Sequence, residues 1–286
     1  MGPSSRPPAG GETKPTSNLA LRLVTAAVAV PVILALIFVA PAWSFYLLVL
    51  AALVVGAHEL FAMTHPRDRV SQAMGVALSV GASLAVYFHH DDPRVLVTLL
   101  VAVPVLGPLL TLVRLGAIET AALRAAAMGF GPLFVALPLT LLATMRVKWP
   151  QAGPGLVLLS LGLAWLADTG GYFAGRFLGK HKLYEAVSPK KTVEGAVGGL
   201  LGSVLWALLG ALWFLRGELP VAHAVALALV VGALGQAGDL GESLLKRSTG
   251  VKDSGALLPG HGGILDRLDA VLVTTTGVYL YALWTR

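Results

Sequence analysis

Nine apolar segments follow one another along this 286-residue chain, and they constrain its fold more than any other feature. An α-helix needs about 20 apolar residues to cross the hydrocarbon core of a bilayer. Backbone polar groups inside that core must be satisfied within the segment, which favours helices over irregular chain. We therefore predict an all-α, polytopic integral membrane protein with about nine transmembrane helices. The segments lie near residues 22–40, 43–62, 70–88, 95–114, 122–145, 154–178, 194–215, 221–245 and 268–285.

Composition divides the chain into three parts. Residues 1–21 are rich in Pro, Gly and Ser and are predicted to be a disordered cytoplasmic tail, because they carry too little apolar surface to fold alone. Residues 22–150 are predicted to form an N-terminal transmembrane scaffold. Residues 151–286 are predicted to be the catalytic transmembrane region, because eight of the 15 acidic residues lie there in or beside two loops.

The chain has no cysteine, which excludes disulfides, thiolate metal sites and a cysteine nucleophile. Any metal must be bound by oxygen or imidazole. The net charge of +6 would suggest nucleic acid in a soluble protein, but Lys and Arg also record topology and anionic head groups in a membrane protein. We do not expect nucleic-acid binding.

The distribution of Lys and Arg predicts the orientation, because cytoplasmic loops retain positive charge. With the N-terminus inside, 16 of the 21 basic residues face the cytoplasm and 5 lie outside. Two loops, between segments six and seven and between segments eight and nine, supply most of the difference; without them the contrast is only 7 against 5. The loops that concentrate acids are thus expected on the cytoplasmic face, in a bacterial inner (plasma) membrane.

Asp239 and Glu242 stand three residues apart at the end of segment eight, and so on one face of a helix. Ionisable groups at the end of a span are candidates for function because they are costly there unless paired, hydrated or bound to metal. A solvated helix end, with Lys246 as the partner of Glu242, explains the pair equally well. The two interpretations stay open on these residues alone.

A second group follows in the run KDSGALLPGHGGILDRLD, where glycines surround His261 and Asp266 and Asp269 open the last segment. Simple capping of a helix start is an alternative for either acid. Several carboxylates without cysteine suit a hard cation such as Mg²⁺, which shares its ligands with substrate phosphates. His261 is a candidate for phosphate contact or acid–base chemistry. Basic residues stand beside these acids: Lys246, Arg247, Lys252 and Arg267.

The loop after segment six carries a third group. Asp168 precedes a glycine-rich helix end, and the run SPKKT, from Ser188 to Thr192, precedes segment seven. The glycines suit helix packing as well as ligand contact. The run is either an ordinary positive flank with a helix cap, or a phosphate clamp of two hydroxyls and two lysines, Lys190 and Lys191, at a helix N-terminus. A second charged loop on the same face favours the clamp.

The run from Ser243 to Asp269, SLLKRSTGVKDSGALLPGHGGILDRLD, resembles the C-terminal motif of phosphatidate cytidylyltransferases, also called CDP-diacylglycerol synthases, without departure. Ser188 to Gly195 looks like the second conserved run of that family, which more usually has an aromatic residue where this chain has Val193. Asp168 to Gly175 looks like a third. The resemblance covers the chain from about residue 160 onward, and the N-terminal segments only by hydropathy.

The resemblance implies transfer of a cytidylyl group from CTP to phosphatidic acid, which gives CDP-diacylglycerol and pyrophosphate in phospholipid biosynthesis. It implies Mg²⁺, with a second, monovalent cation left open. The metal is assigned to Asp239 and Asp266, with Asp269 as a further ligand or neighbour. The implied catalytic residues are these three with Lys246, Arg247 and His261. The implied substrate-binding residues are Asp168, Tyr172, Ser188, Lys190, Lys191, Thr192, Lys252, Asp253 and Arg267.

Other functions would also place charge at one membrane face. A CTP-dependent polyprenol or phytol kinase is the nearest alternative enzyme, whereas the spaced acidic motif of a CDP-alcohol phosphotransferase is absent. A transporter could place acids and lysines in its spans, but no inverted repeat is visible. The expected partners are CTP, phosphatidic acid and the bilayer, and the glycine-rich helix faces are compatible with a homodimer.

Overall fold

A computed structural model of the chain describes residues 15–255 and 262–286, with side chains from Ala27 onward. The described residues form nine α-helices, and each coincides with one predicted segment. The first begins at Pro15, before the predicted start, and so includes residues 15–21 of the predicted tail. The helices are α1 Pro15–Phe38, α2 Ala42–Thr64, α3 Arg69–Phe88, α4 Pro93–Val113, α5 Ala121–Lys148, α6 Gly153–Leu178, α7 Val193–Leu209, α8 Val221–Ser248 and α9 Leu265–Thr285.

Seven helices in the described part of the chain, α2 to α8, are long and apolar enough to cross a membrane. The described apolar part of α1, Ala27–Phe38, is shorter. Three consecutive threonines, Thr274 to Thr276, make α9 less apolar. The prediction of an all-α polytopic membrane protein is confirmed.

Helix α5 lies at the centre of the bundle and packs against α2, α3, α4, α6 and α9. Its buried face includes Met128, Val135 and Leu139. Inside this face the Thr140 hydroxyl donates to Ser83 Oγ at 2.7 Å, which satisfies a polar group that would be costly to bury alone. Because α5 contacts both α2 and α9, the predicted scaffold and the predicted catalytic region form one packed body.

Helices α6 and α7 approach closely because glycines line their contact. A Cβ atom at Gly170 would collide with the carbonyl oxygen of Gly198, and one at Gly202 would collide with that of Leu166. Small residues let helix backbones meet in this way. Helix packing therefore explains Gly170.

A short antiparallel hairpin, β1 Lys182–Tyr184 and β2 Ser188–Thr192, connects α6 to α7. We did not predict it from the sequence. Lys182 pairs with Thr192, and the Lys182 ammonium donates to the Pro189 carbonyl at 2.5 Å. Val187, a residue of the turn between the strands, is buried. The hairpin thus gives the SPKKT run a defined backbone.

Candidate active site

The predicted functional groups meet at one end of the bundle. There α6 and α8 end, α7 and α9 begin, and the hairpin covers the gap between α6 and α7. The C-terminal part of α2 reaches the same place, since Glu59 contacts the start of α9. Charged residues distant in sequence therefore surround a single region.

An open cleft of about 360 Å³ lies between α6, β2, α7 and α8. Six predicted residues line it: Asp168, Tyr172, Lys190, Lys191, Thr192 and Asp239. The glycines Gly171, Gly175 and Gly195 also line it, where α6 and α7 approach each other closely. The grouping of these residues in one site, predicted from two separate runs, is thus found in the fold.

Lys191 and Asp239 form an ion pair across the cleft, with 2.5 Å between Nζ and Oδ2. The two side chains are about a quarter exposed, at 27% and 25%. They are therefore reachable from the cleft while held in place by each other. A phosphate that enters would meet a lysine already oriented by its carboxylate partner.

Asp168 faces the same cleft from α6. Its carboxylate lies within Coulombic range of Asp239, a like charge, and of Lys191 and Arg267, two opposite charges. Arg267 belongs to the first turn of α9, so this part of the cleft brings α6, α8, α9 and the hairpin together. The alternation of charges suits a ligand that carries both phosphate and metal.

The Ser188–Thr192 run caps a helix and also borders the cleft. The Thr192 hydroxyl accepts from the Gly195 amide at 3.1 Å and caps α7, as the simple flank predicts. Glu194 accepts from the backbone amides of Lys180 and His181, which secures the start of the hairpin. Lys190 and Lys191 nevertheless line the cleft, as a clamp requires. Ser188 lies half-buried in β2 and is not among the residues that line the cleft.

A buried cluster of charges lies beside the cleft, between α8 and α9. Lys246 Nζ is 2.6 Å from Asp266 Oδ1 and 3.3 Å from Glu242 Oε2. Glu242 is 1% exposed, and Lys246 and Asp269 are each 9% exposed. The predicted partnership of Glu242 and Lys246 is present, but a solvated helix end is wrong, because the pair is buried. Burying a charge is costly unless it is paired, so the cluster is held by its contacts.

Asp266 is fully engaged. Its Oδ2 accepts from the backbone amides of Ser254 at 3.0 Å and Gly263 at 2.9 Å, while Oδ1 binds Lys246. Asp266 does not cap α9 through its own side chain, since residue 264 is the N-cap and makes no side-chain bond. The carboxylate instead joins α8, the segment around residue 254 and the start of α9.

Asp269 connects the cluster to the cleft. Its Oδ1 accepts from the Ala270 amide at 2.6 Å, and its carboxylate lies close to those of Glu242 and Asp239. Three acids, Glu242, Asp266 and Asp269, thus lie in the cluster, and its lysine contacts Glu242 and Asp266. The surplus of negative charge is the electrostatic feature that distinguishes this cluster.

The donor chemistry fits a hard divalent cation. Glu242 Oε1 is buried and receives no hydrogen bond from an amide, hydroxyl or ammonium group within the described residues, and its carboxylate adjoins that of Asp269. A bound cation would satisfy such an atom. No group of three His, Cys, Asp or Glu side chains in residues 15–255 and 262–286 is close enough to hold a metal alone. Mg²⁺ usually binds only one or two carboxylates together with water and phosphate, so the residues fit an ion shared with a substrate.

Three of the remaining predicted residues lie at or just after the end of α8. Arg247 is exposed and donates to the Val251 carbonyl at 3.2 Å. Lys252 and Asp253 are exposed on the turn after α8. His261 lies outside the described residues, and its predicted role remains a prediction.

Two contributors were missed in the sequence. Arg176 lines the cleft and donates to the Tyr172 hydroxyl at 2.9 Å, whereas in the sequence it is only one of the basic residues predicted to face the cytoplasm. Glu59, from α2, accepts hydrogen bonds from Ser254 and from the first turn of α9. An acid inside an apolar span is a functional candidate by default, so Glu59 carried a signal.

Comparison with known proteins places this geometry in context. Residues 20–284 match the model of a family described as "Cytidylyltransferase family". A "Phosphatidate cytidylyltransferase" of Synechocystis sp. is 40% identical over 153 residues, which cover 50% of this chain and 52% of that protein. A "Phosphatidate cytidylyltransferase" of Staphylococcus aureus is 47% identical over 116 residues, 41% of this chain and 44% of that protein. The chain thus spans about half the length of the curated relatives it matches.

Proposed function

Because the chain belongs to the cytidylyltransferase family, we propose that it transfers a cytidylyl group from CTP to phosphatidic acid. The products are CDP-diacylglycerol and pyrophosphate. One observation carries the proposal: a cleft lined by Lys190, Lys191 and Arg176 adjoins an acid-rich buried cluster at one end of a membrane bundle. The names of the two relatives agree with this reaction.

The chemistry asks mainly for positioning and charge neutralisation. A phosphate oxygen of phosphatidic acid attacks the α-phosphorus of CTP and forms a new P–O bond. The bond from that phosphorus to the oxygen bridging to the β-phosphate breaks, and pyrophosphate leaves with the electron pair. The attacking phosphate is already ionised, so in-line orientation counts for more than a strong base.

In this proposal the lysines bind phosphate. Lys191 is oriented by Asp239 at 2.5 Å, and Lys190 and Arg176 line the same cleft, so the triphosphate has three cations within one cavity. Lys246 lies deeper and keeps Asp266 in place at 2.6 Å. Charge neutralisation of phosphoryl groups by such cations stabilises the charge that develops during transfer.

We propose Asp239 and Asp269 as the principal holders of Mg²⁺, with Asp266 beside them and Glu242 as a further oxygen donor. When bound, the ion would neutralise the negative charge of the phosphate groups. Asp168 would contribute from α6, since its carboxylate lies in the range of Asp239. A second, monovalent cation would bind to carboxylates of the same cluster.

The location of the site suits two substrates of different solubility. The acyl chains of the lipid stay in the bilayer beside the apolar helices, while CTP arrives from water at the end of the bundle. The positive-inside distribution supports a cytoplasmic face. The bacterial relatives are consistent with a bacterial inner membrane.

The test is synthesis by the purified chain in nanodiscs, supplied with radiolabelled CTP, phosphatidic acid and Mg²⁺. We expect labelled CDP-diacylglycerol and one pyrophosphate per product, and no product after chelation of the metal. Polyprenol, phytol and diacylglycerol replace the lipid in parallel reactions. Phosphorylation of one of these acceptors without CDP-diacylglycerol would overturn the proposal.

A matched pair of variants tests the site. Asp239→Asn removes the charge that orients Lys191, and we expect at least about a 100-fold loss of turnover, because charged ligands at such sites act as a unit. Asp91→Asn is the control, since Asp91 is exposed on the loop between α3 and α4 and does not line the cleft. Equal activity of the two variants would contradict the assignment of Asp239.

A further inference from the structure

Glu59 is a buried acid of α2, far in sequence from the candidate site. It is 5% exposed, although it lies in a helix apolar enough to span a membrane. A buried carboxylate needs hydrogen bonds to compensate for lost hydration. The partners of Glu59 therefore show what the residue does.

Within the described residues, the hydrogen bonds of the Glu59 carboxylate come from Ser254 and from the start of α9. Oε2 accepts from the Ser254 hydroxyl at 3.0 Å and from the Leu265 amide at 2.8 Å. Oε1 accepts from the Ile264 amide at 3.0 Å. One carboxylate thus binds the described chain on both sides of residues 256–261 and satisfies two amides at the start of α9, which a helix otherwise leaves without partners.

Two glycines make this contact possible. A Cβ atom at Gly255 or at Gly263 would collide with the Glu59 carboxylate. Both positions therefore require the absence of a side chain. Each glycine is next in sequence to a residue that donates to the carboxylate: Gly255 follows Ser254, and Gly263 precedes Ile264.

The same stretches hold Asp266 from the opposite side. Ser254 and Gly263 donate their amides to Asp266 Oδ2, and Asp266 binds Lys246 through its other oxygen. Ser254 gives its hydroxyl to Glu59 and its amide to Asp266, so it joins the two acids directly. The position of Asp266 and Lys246 consequently depends on a backbone that Glu59 anchors.

We propose that Glu59 is a positioning residue for the cytidylyl transfer, and that α2 acts on the site through the Glu59–Ser254–Asp266 chain of contacts. The inference rests on the proposed function. It adds that a helix of the N-terminal scaffold sets the geometry of the buried cluster without touching substrate.

The experiment compares Glu59→Gln and Glu59→Ala with Glu119→Gln, whose carboxylate is exposed on the turn before α5. Hydrogen–deuterium exchange of the peptide that contains Ile264 and Leu265 measures how well Glu59 protects these two amides. We expect exchange to rise about tenfold or more in both Glu59 variants, because charge-assisted hydrogen bonds to these amides are lost. Glutamine retains one acceptor oxygen and should be the milder change.

The positioning role is tested by measuring kcat and KM for CTP, with rates expressed per folded molecule. We expect kcat to fall about 10–100-fold in Glu59→Gln while KM for CTP stays within about threefold, as for residues that orient the ligands of a site. The apparent Mg²⁺ requirement should rise in the same variant. Ser254→Ala, which removes one donor, should give a smaller loss of kcat and serves if the Glu59 variants do not fold.

The outcomes separate the two proposals. An unchanged kcat per folded molecule, with only a lower melting temperature, would show that Glu59 is structural and overturn the inference. Unchanged exchange at Ile264 and Leu265 would also overturn it. A wild-type chain that makes no CDP-diacylglycerol would refute the proposed function, while the exchange measurement would still decide whether Glu59 anchors the segment.

Discussion

Replacing Lys246 by methionine removes the one lysine from the buried cluster and keeps the length of the side chain. In the native chain the ammonium lies 2.6 Å from Asp266 and 3.3 Å from Glu242. The variant leaves two buried carboxylates without this cation. We expect it to unfold at a clearly lower temperature and to lose activity.

The magnitude follows from these distances. At an effective dielectric constant of about 20, the attractions amount to roughly 6 and 5 kcal/mol before desolvation is subtracted. Desolvation offsets much of this sum, and removal of one partner from a buried ion pair typically costs about 3–5 kcal/mol. For a chain of this size the loss corresponds to a melting temperature lower by about 10 °C.

Thermal unfolding in a mild detergent measures the effect, with Lys148→Met, at the far end of α5, as the control. If unpaired carboxylates cause the loss, Glu242→Gln in the Lys246→Met background should recover part of it, with a coupling energy of about 1–3 kcal/mol. A melting temperature within about 2 °C of wild type would refute the reasoning. So would a double variant whose losses simply add.

Two further predictions concern packing and pH. Gly170→Val should separate α6 from α7, because the valine side chain would collide with the Gly198 carbonyl. We expect the free energy of unfolding, measured by denaturant titration, to fall by about 1–3 kcal/mol. An unchanged midpoint would contradict the close contact. Asp68 caps α3 by accepting from the Ser71 amide. Its carboxylate also accepts from the Ser71 hydroxyl and pairs with Arg114, and these contacts lower the pKa of Asp68 from 3.8 to about 2. A lowered folded pKa contributes stability that is fully present above the unfolded pKa and is lost as pH falls through the folded value of about 2. Asp68→Asn should therefore cost about 1 kcal/mol at pH 7, after discount for solvent screening, and almost nothing once the pH is below the folded pKa. A difference that persists unchanged at low pH would contradict this.

The number and place of the helices could be predicted from the sequence because a bilayer imposes one length and one polarity on every span. The hairpin could not. Its second strand contains Pro189, Lys190 and Lys191, residues that are uncommon in strands, and it is held by a bond from Lys182 and by the burial of Val187. Those contacts exist only once α6 and α7 have packed.

The candidate site shows the same division. The acids and lysines of the two runs were identifiable from their spacing, and Asp168, Lys191 and Asp239 do meet in one cleft. The pairing of Lys191 with Asp239 was not predictable, because it depends on how the hairpin lies against α8. The pairing of Lys246 with Asp266 depends on how α8 and α9 cross.

The sequence by itself determined that this is a helical membrane protein with charge gathered at one end, since hydropathy and charge are properties of consecutive residues. The tertiary structure alone decided that Glu59 of α2 takes part. Its bonds to Ser254 and Leu265 join residues about 200 positions apart, and no local pattern encodes such a contact. Only the packing of α2 against α9 brings that carboxylate to unsatisfied amides, where its burial becomes favourable.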